Sequence, residues 1–403
     1  MNPRGSSDAP GGSERGGAGR RLPCQRAAFS LPEHVHYLNC AYLAPLPRAV
    51  EEAGLEALRR RRAPLTYSPE SFFTEADRVR ALFARLLGAP DPARVAIVPS
   101  VSYGISTAAR NVQAESGQSV VLLEEQFPSN VYPWRRLAVD RDLAIHTVPR
   151  PPGGPGGESW TERLLQAIRS ETAVVAVPQV HWTDGAWLDL VAVGARAREV
   201  GAALVVDASQ SVGALPFDLQ AVQPDAVVCA GYKWLLGPYG LGLAYYGARF
   251  DRGIPLEETW IAREGSEDFQ GLVRYTDAYQ PGAARFDVGE RSSFFLLPML
   301  GAALELVLEW GPGAIQEYCG GLTGELLERL TEGELGSVAE GRRAGHILGL
   351  RLPAGVELPA LQARLEGRHI HASLRGDALR ISPHVYNGSE DVQALAEVLL
   401  HAL

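Results

Sequence analysis

The chain has 403 residues, 46% hydrophobic and 21% charged, values ordinary for a globular protein of two or three domains. Its net charge of −9 argues against a general nucleic-acid binder, which would present a basic surface. Four scattered cysteines without CxxC spacing predict neither a disulfide framework nor a zinc site, and favour a reducing compartment. No apolar run in the sequence is long enough to cross a membrane.

The first 28 residues are rich in Gly, Ser, Pro, Ala and Arg, and they predict a disordered tail because they cannot build a core. They contain arginines but no apolar stretch, which argues against a secretory signal. Asp8 and Glu14 interrupt the pattern of an organelle transit peptide, which stays as an alternative. We therefore expect a cytoplasmic protein.

Short apolar segments alternate with helical patterns through the first two thirds of the chain. Strands are predicted over residues 94–99, 119–123, 143–148, 172–177, 203–207, 225–229 and 242–246. Helices are predicted over 48–62, 72–87, 188–200 and in a segment that ends at Asn111. This alternation predicts a mostly parallel sheet covered on both faces, and residues 151–157 are then a Pro- and Gly-rich surface loop.

The pattern changes after about residue 294. Helices over 295–310 and 315–332 precede short strands at 346–350 and 379–381 and a last helix at 390–400. These elements predict a smaller α+β domain over residues 294–403, which follows a large domain over 29–293. We expect the first part of the large domain, residues 29–62, to pack on the small domain.

Lys233 is the only lysine in the chain, and the other 37 basic residues are arginines. A lysine amine can lose its proton when desolvated and attack a carbonyl, whereas arginine stays protonated. Lys233 lies in residues 230–238 (Ala-Gly-Tyr-Lys-Trp-Leu-Leu-Gly-Pro), whose apolar side chains disfavour an exposed position. The sequence therefore predicts a Schiff-base nucleophile; a lysine that survives by chance on the surface is the alternative.

Two further signals fall at predicted strand ends, where ligands bind in doubly wound sheets. Asp207 ends a strand, where a carboxylate can keep a pyridinium nitrogen protonated; a turn or helix cap is the alternative. Residues 100–104 (Ser-Val-Ser-Tyr-Gly) join a strand to a helix, so hydroxyls and amides there can bind a phosphate or simply cap the helix. With Lys233, these signals predict a pyridoxal 5′-phosphate pocket.

Residues 207–214 (Asp-Ala-Ser-Gln-Ser-Val-Gly-Ala), Asp225 and the segment around Lys233 resemble the signature of the class V aminotransferases. This family contains cysteine desulfurases, kynureninase and isopenicillin N epimerase. The resemblance covers about residues 35–403, with outer landmarks at 37–41 (Tyr-Leu-Asn-Cys-Ala) and 380–387 (Arg-Ile-Ser-Pro-His-Val-Tyr-Asn). It implies a fold type I pyridoxal-phosphate transferase, an α/β protein with a mostly parallel seven-stranded sheet, and a homodimer with active sites at the subunit interface.

The resemblance also implies a role for each residue of the pocket. Lys233 would form the Schiff base with the cofactor and carry protons to and from the substrate carbon. Asp207 would bind the pyridine nitrogen, and Gln210 the phenolic oxygen. The other implied contacts are stacking by Phe127, phosphate binding by Ser102, the Tyr103 amide and Tyr232, a polar cofactor contact by His181, and substrate binding by Arg380 and Asn39. For Phe127 an ordinary core position is the alternative.

Two departures from the family pattern limit what the resemblance implies. Residues 289–292 (Gly-Glu-Arg-Ser) replace a Gly-Thr that contacts the neighbouring subunit's phosphate, so Glu290 would repel phosphate unless Arg291 or a backbone amide makes the contact. Cysteine desulfurases use a mobile cysteine in the C-terminal domain, but no cysteine follows Cys319, which lies in a helical pattern and is expected to be structural. A persulfide-forming desulfurase is therefore disfavoured.

The predicted reaction begins when Lys233 removes the α-proton from an amino acid bound to the cofactor as an external aldimine. Transamination, C–S or C–C lyase chemistry, hydrolytic cleavage and epimerisation share this step, and residues 127–130 and 181–182 favour the kynureninase or lyase side. The other class of hypothesis is a non-catalytic binding protein with the same fold. The sequence does not name the substrate.

Overall fold

A computed structural model describes residues 22–152, 158–330, 336–337, 343–353, 355–375 and 378–401. Its strands are β1 His36–Tyr37, β2 Val95–Val98, β3 Ser119–Leu123, β4 Ala144–Val148, β5 Thr172–Pro178, β6 Ala203–Asp207, β7 Ala226–Ala230, β8 Gly242–Tyr246, β9 Gly336–Ser337, β10 Leu348–Arg351, β11 Ile370–His371, β12 Ser373–Arg375 and β13 Ala378–Ile381. Its α-helices are α1 Arg48–Arg60, α2 Thr74–Leu87, α3 Val101–Asn111, α4 Tyr132–Arg141, α5 Trp160–Ala167, α6 Leu190–Val200, α7 Leu219–Val222, α8 Leu296–Trp310, α9 Pro312–Leu330, α10 Leu358–Gly367 and α11 Ser389–Leu400.

The large domain is built on a seven-stranded sheet in the order β2-β8-β7-β6-β5-β3-β4. Strand β8 is antiparallel to β2 and β7, and the other neighbouring pairs are parallel. Such strands are apolar along their whole length because helices cover both faces of the sheet. The predicted α/β fold with a mostly parallel seven-stranded sheet is confirmed.

Side chains of successive strand residues enter two different cores, as the two-residue period of a strand requires. In β6, Leu204 and Val206 pack with α1, α2, α5, α6 and α8 on one face. Val205 packs with α3 and α4 on the other. No helix in the described part of the chain has the length and apolar character that crossing a bilayer needs. The cytoplasmic location stays a prediction.

The C-terminal elements form a second layer with its own core. An antiparallel sheet in the order β12-β13-β10-β9 packs with α9, α10 and α11 around Leu348, Leu379 and Leu395. The N-terminal segment joins this layer, since β1 pairs in parallel with β11 at His36 and Ile370. The packing of residues 29–62 on the small domain and the boundary between the two domains stay predictions.

The chain packs against the body earlier than the sequence predicts. The Gln25 backbone N–H donates to Val385 O at 2.7 Å, and residues 26–28 form a 3₁₀ turn. Residues 22–28 therefore do not belong to the predicted disordered tail. Residues 1–21 of that tail and residues 153–157 of the predicted surface loop lie outside the described residues.

Candidate active site

A cavity of ≈ 280 Å³ opens at the edge of the large sheet where β5, β6 and β7 end and β8 begins. Carboxyl ends of parallel strands are where ligands bind in open α/β sheets. Six of the residues predicted for the site line this cavity: Ser102, Phe127, Asp207, Gln210, Tyr232 and Lys233. The structure thus brings together residues that are up to 131 positions apart in the chain.

Lys233 lies in the loop that follows β7, held against the loop that follows β6. The two loops touch at Gly213, where a side chain would come within 2.3 Å of Trp234 O. The Lys233 Nζ atom lies 5.2 Å from the Phe127 ring centroid and 5.7 Å from that of Tyr232. It forms no hydrogen bond with any described residue. Lys233 is therefore a buried amine aimed into the cavity.

Burial lowers the pKa of Lys233 from 10.5 to about 8. The Asp207 carboxylate opposes this effect, and the Arg380 guanidinium adds to it. A buried ammonium loses its hydration, so the neutral amine becomes the favoured form at a lower pH than in water. The neutral amine is the nucleophile that a Schiff base requires.

We expect the rate at which pyridoxal phosphate attaches covalently to the cofactor-free protein to follow this pKa. The neutral fraction rises with pH, so the rate should increase about tenfold between pH 7 and pH 9 and level off above. Arg380→Gln should move the midpoint to higher pH, and Asp207→Asn to lower pH, because the two charges act in opposite directions. Stopped-flow absorbance between pH 6 and 10 measures all three profiles; a flat profile would contradict the assignment.

Asp207 ends β6, and its carboxylate is buried at the cavity wall. The Oδ1 atom accepts a hydrogen bond from the Ser209 backbone N–H at 3.0 Å, which fixes its orientation. Burial raises the pKa of Asp207, although the Ser209 hydrogen bonds and the Lys233 charge work against this. No ion pair within 4 Å joins Asp207 to a described residue. A protonated ring nitrogen would supply the missing countercharge.

Gln210 is held by contacts on three sides. The Trp234 Nε1–H donates to Gln210 Oε1 at 2.8 Å, and Gln210 Nε2 donates to Ala41 O at 3.1 Å. An indole N–H can only donate, so the amide orientation is fixed and its second N–H hydrogen remains for a ligand. The His346 ring holds the backbone, with Nε2 2.7 Å from Gln210 O. These supports could not be predicted from local sequence patterns, because they come from distant segments.

The N-terminus of α3 forms one end of the cavity, and one predicted contact there changes. Ser100 Oγ accepts from the Tyr103 backbone N–H at 3.2 Å and lies 2.9 Å from Ser102 Oγ. The Tyr103 amide is thus used by the helix cap, and Tyr103 is absent from the cavity lining. The first N–H groups of α3, at Val101 and Ser102, have no intrahelical acceptor and attract an anion.

His181 does not line the cavity, contrary to its predicted cofactor contact. Its ring is fully buried, stacked on Trp160 at 5.4 Å with an interplanar angle of 11°. Nδ1 lies 2.8 Å from Thr183 Oγ1, and Nε2 lies 3.3 Å from Glu124 O. Its neighbours Val180 and Trp182 line the cavity instead.

Trp182 lines the cavity and also contacts Arg380, the arginine predicted to bind the substrate. Its ring meets Phe127 edge-on, with centroids 5.5 Å apart, and its backbone O accepts from Arg380 Nη1 at 3.0 Å. Arg380 is buried, and its Nε and Nη2 atoms have no partner among the described residues. Burial lowers the pKa of Arg380 to about 9. Two buried donors without acceptors fit a carboxylate that arrives with the substrate.

Asn39, the other predicted substrate residue, is occupied within the chain. Its Oδ1 accepts from Ser373 Oγ at 2.8 Å, and its backbone pairs with that of Ser382. Neither Asn39 nor Arg380 is part of the cavity lining. Asn39 therefore holds the N-terminal segment on the small-domain sheet, and its contact with substrate stays a prediction.

The residues that replace the family's Gly-Thr do not offer a free cation. Arg291 is 2% exposed, its Nε lies 3.1 Å from Asp287 Oδ2, and its guanidinium lies over the Phe73 ring. The Gly289 N–H is also used, since it donates to Glu257 at 2.7 Å. Arg291 is thus buried beside Asp287, the Glu290 side chain is exposed, and the phosphate contact across the subunit interface stays a prediction.

The described residues contain no group of three or more His, Cys, Asp or Glu placed to hold a metal ion. Three of the four cysteines are buried, and Cys24 alone is exposed. Cys319 lies in α9, where its thiol donates to Pro383 O at 3.4 Å and burial raises its pKa. A buried thiol with a raised pKa is inert.

The chain belongs to the class V aminotransferase family, whose model matches residues 44–395. Isopenicillin N epimerase of Streptomyces clavuligerus is 26% identical over 393 residues, 93% of this chain and 96% of the relative. Kynureninase of Deinococcus radiodurans is 31% identical over 329 residues, 77% of this chain and 75% of the relative. The solved structure of a Thermococcus onnurineus NA1 cysteine desulfurase superposes with a TM-score of 0.81 at 22% identity, covering 93% of this chain and 96% of the other.

These matches confirm the predicted family, and pyridoxal 5′-phosphate is the cofactor of that family. Cysteine desulfurases are also among the relatives, so membership leaves the reaction open and the desulfurase reaction is not excluded. The residues present fit the cofactor. Asp207 has no ion-pair partner within 4 Å among the described residues, the Lys233 amine has no hydrogen bond to a described residue, and the first amides of α3 lack acceptors.

Proposed function

We propose that this protein is a pyridoxal-phosphate enzyme that acts on an amino acid, with Lys233 removing the α-proton. The observation that carries the proposal is the position of Lys233. Its amine is buried, forms no hydrogen bond with a described residue and lines the same cavity as the buried Asp207. Its pKa of about 8 suits a group that must both give and take a proton near neutral pH.

When bound, pyridoxal phosphate withdraws electrons from the substrate carbon that loses its proton. The chain's own residues would hold and assist it. Asp207 would keep the ring nitrogen charged, Gln210 would donate its free amide hydrogen to the ring oxygen, and Phe127 would cover one face. The α3 N-terminus would bind the phosphate, and Arg380 would hold the substrate carboxylate with its two unpaired donors. Lys233 Nζ would then accept the α-proton.

After proton removal, we propose transamination or C–S or C–C lyase chemistry as the outcome, with amino-acid epimerisation as the alternative. Two epimerases that cover 93% of this chain support the alternative. The kynureninase relative supports the lyase reading, and Phe127 and Trp182 in the cavity agree with it. Persulfide formation is disfavoured because the buried Cys319 cannot present a thiolate.

A panel of L-amino acids with the holoenzyme separates these outcomes when four products are measured in parallel: keto acid, sulfide, alanine and inverted amino acid. We expect keto acid with a 2-keto acid acceptor, or pyruvate or sulfide from a cysteine conjugate. Inverted amino acid as the sole product would favour the epimerase. If no amino acid gave turnover or α-hydrogen exchange, the protein would be a binding protein, and the proposal would be contradicted.

We also propose a homodimer. Tyr239, at the mouth of the cavity, is 71% exposed. Tyr42 and Leu43 are also exposed, and the next residue in the chain donates its backbone N–H to Tyr232 O. Aromatic and aliphatic side chains grouped around a pocket are typical of a surface that a second subunit covers. Sedimentation should give twice the monomer mass, and Tyr239→Asp with Leu43→Asp should shift it towards monomer. A wild-type monomer at micromolar concentration would contradict the dimer.

A further inference from the structure

Two arginines of the small domain lie side by side on one face of its sheet. In the β12–β13 hairpin, Ser373 is opposite Arg380 and Arg375 is opposite Ala378. Residues two apart on a strand, and residues directly opposite on its partner, share a face of the sheet. Arg375 and Arg380 therefore project from the same face, and one cross-strand pair, Leu374 with Leu379, separates them along the hairpin.

This face packs against the large domain beside the cavity. A side chain at Gly349, which is opposite Arg380 in β10, would come within 2.8 Å of Asp184 Cα. The Arg375 Cζ atom lies 5.6 Å from the Trp182 ring centroid, and Arg380 Cζ lies 5.8 Å from it. Trp182 lines the cavity, so both guanidinium groups lie beside a residue of the cavity wall, while neither arginine is itself part of the lining.

The two positive charges have no acidic partner in the described part of the chain. Neither Arg375 nor Arg380 forms an ion pair with a described carboxylate. Burial lowers the pKa of Arg380, and the positive charge of Arg375 adds to this effect. Asp184, two residues from Trp182, and Glu125, whose backbone O accepts from Trp182 Nε1, are both ion-paired with Arg150. Two like charges beside a low-dielectric cavity favour an anion between them.

Arg375 also retains hydrogen-bond donors. Its Nη1 donates to Leu374 O at 2.9 Å, and its buried Nε has no partner among the described residues. Arg380 uses only Nη1, on Trp182 O. A single carboxylate cannot form bidentate hydrogen bonds with two guanidinium groups at once. Two anionic groups can, one at each arginine.

We propose that the amino-acid substrate carries an anionic side chain and that Arg375 binds it while Arg380 binds the α-carboxylate. The inference rests on the proposed function, and it narrows the substrate class to acidic amino acids. Arg375 is thus a specificity-determining residue. Both guanidinium groups lie within about 6 Å of the Trp182 ring centroid, so they can act on one substrate.

The test compares acids with their amides, which have almost the same shape. Absorbance titration of the holoenzyme with L-aspartate, L-asparagine, L-glutamate and L-glutamine gives four dissociation constants. At least one acid should bind roughly 10- to 100-fold more tightly than its amide, as one charge-assisted hydrogen-bonded pair provides. Arg375→Gln should remove that preference and leave the constants for the amides unchanged.

The matched control is Arg368→Gln, which makes the same charge change in the same domain at an exposed residue paired with Glu397. This variant should keep the preference for acids. Equal binding of acids and amides by the wild type, or an unchanged preference in Arg375→Gln, would overturn the subsite and leave the proposed function standing. No spectral response to any of the four amino acids would also overturn the subsite, whereas the proposed function falls only if every amino acid of the wider panel fails to react.

Discussion

Lys233→Ala should abolish covalent attachment of pyridoxal phosphate and slow α-proton removal by about 10⁴-fold, because one side chain is both nucleophile and base. No second lysine exists in the chain to take over. Absorbance of the bound cofactor reports the attachment, and hydrogen–deuterium exchange at the substrate α-carbon reports the proton transfer. Added ethylamine should restore part of the exchange, since it supplies an amine to the space that the side chain leaves.

Lys233→Arg is the control for charge. The guanidinium keeps the positive charge near Asp207 but neither loses its proton nor attacks a carbonyl. This variant should bind the cofactor without a covalent bond and should not respond to ethylamine, because the cavity stays filled. If Lys233→Arg retained wild-type exchange, the charge of Lys233 would matter and its amine would not.

Asp207→Asn should lower kcat by about 10²–10³-fold, because a buried charge pair with the ring nitrogen would be lost. The amide has nearly the shape of the carboxylate and can still accept from the Ser209 N–H. The fold should therefore survive, and the circular dichroism spectrum should not change. Steady-state kinetics and equilibrium dialysis of the cofactor measure the two effects.

Asp218→Asn is a matched control, because Asp218 caps α7 by accepting from the Ala221 N–H and asparagine caps equally well. It should leave both kinetics and cofactor binding unchanged. Wild-type kcat in Asp207→Asn would show that the ring nitrogen does not depend on this carboxylate.

The sheet, and the edge of the sheet where the site lies, could be predicted from the sequence because both depend on local residue patterns. The predicted strands at residues 119–123, 203–207 and 242–246 agree with β3, β6 and β8 at both ends. Each is a short apolar run, as strands buried on both faces require. The fold rule that ligands bind at the carboxyl ends of such strands then places Asp207 and Lys233 in one pocket.

The supports of the site could not be predicted, because they depend on contacts between distant segments. Trp234 looked like an apolar flank of Lys233, but its N–H orients Gln210. Arg291 looked like a spare cation, but it is buried against Asp287, and Arg375 was one arginine among 37. The helices α4 and α5 were also not predicted, because α4 follows an irregular turn and α5 a Pro- and Gly-rich run.

His181 shows where a short motif misleads. The motif gave the correct segment, since Val180 and Trp182 line the cavity, but not which side chain faces it. The same holds for Tyr103. The sequence indicates a helix N-terminus, but not which backbone N–H donates to the Ser100 side chain.

The most direct test of the account is to reduce the pyridoxal-phosphate-loaded protein with borohydride, digest it and map the modified peptide by mass spectrometry. The account predicts one stable adduct on the peptide that contains Lys233, lost in Lys233→Ala and retained in Asp218→Asn. An adduct on a different peptide, or a loaded protein that yields none, would contradict the central claim that Lys233 binds the cofactor.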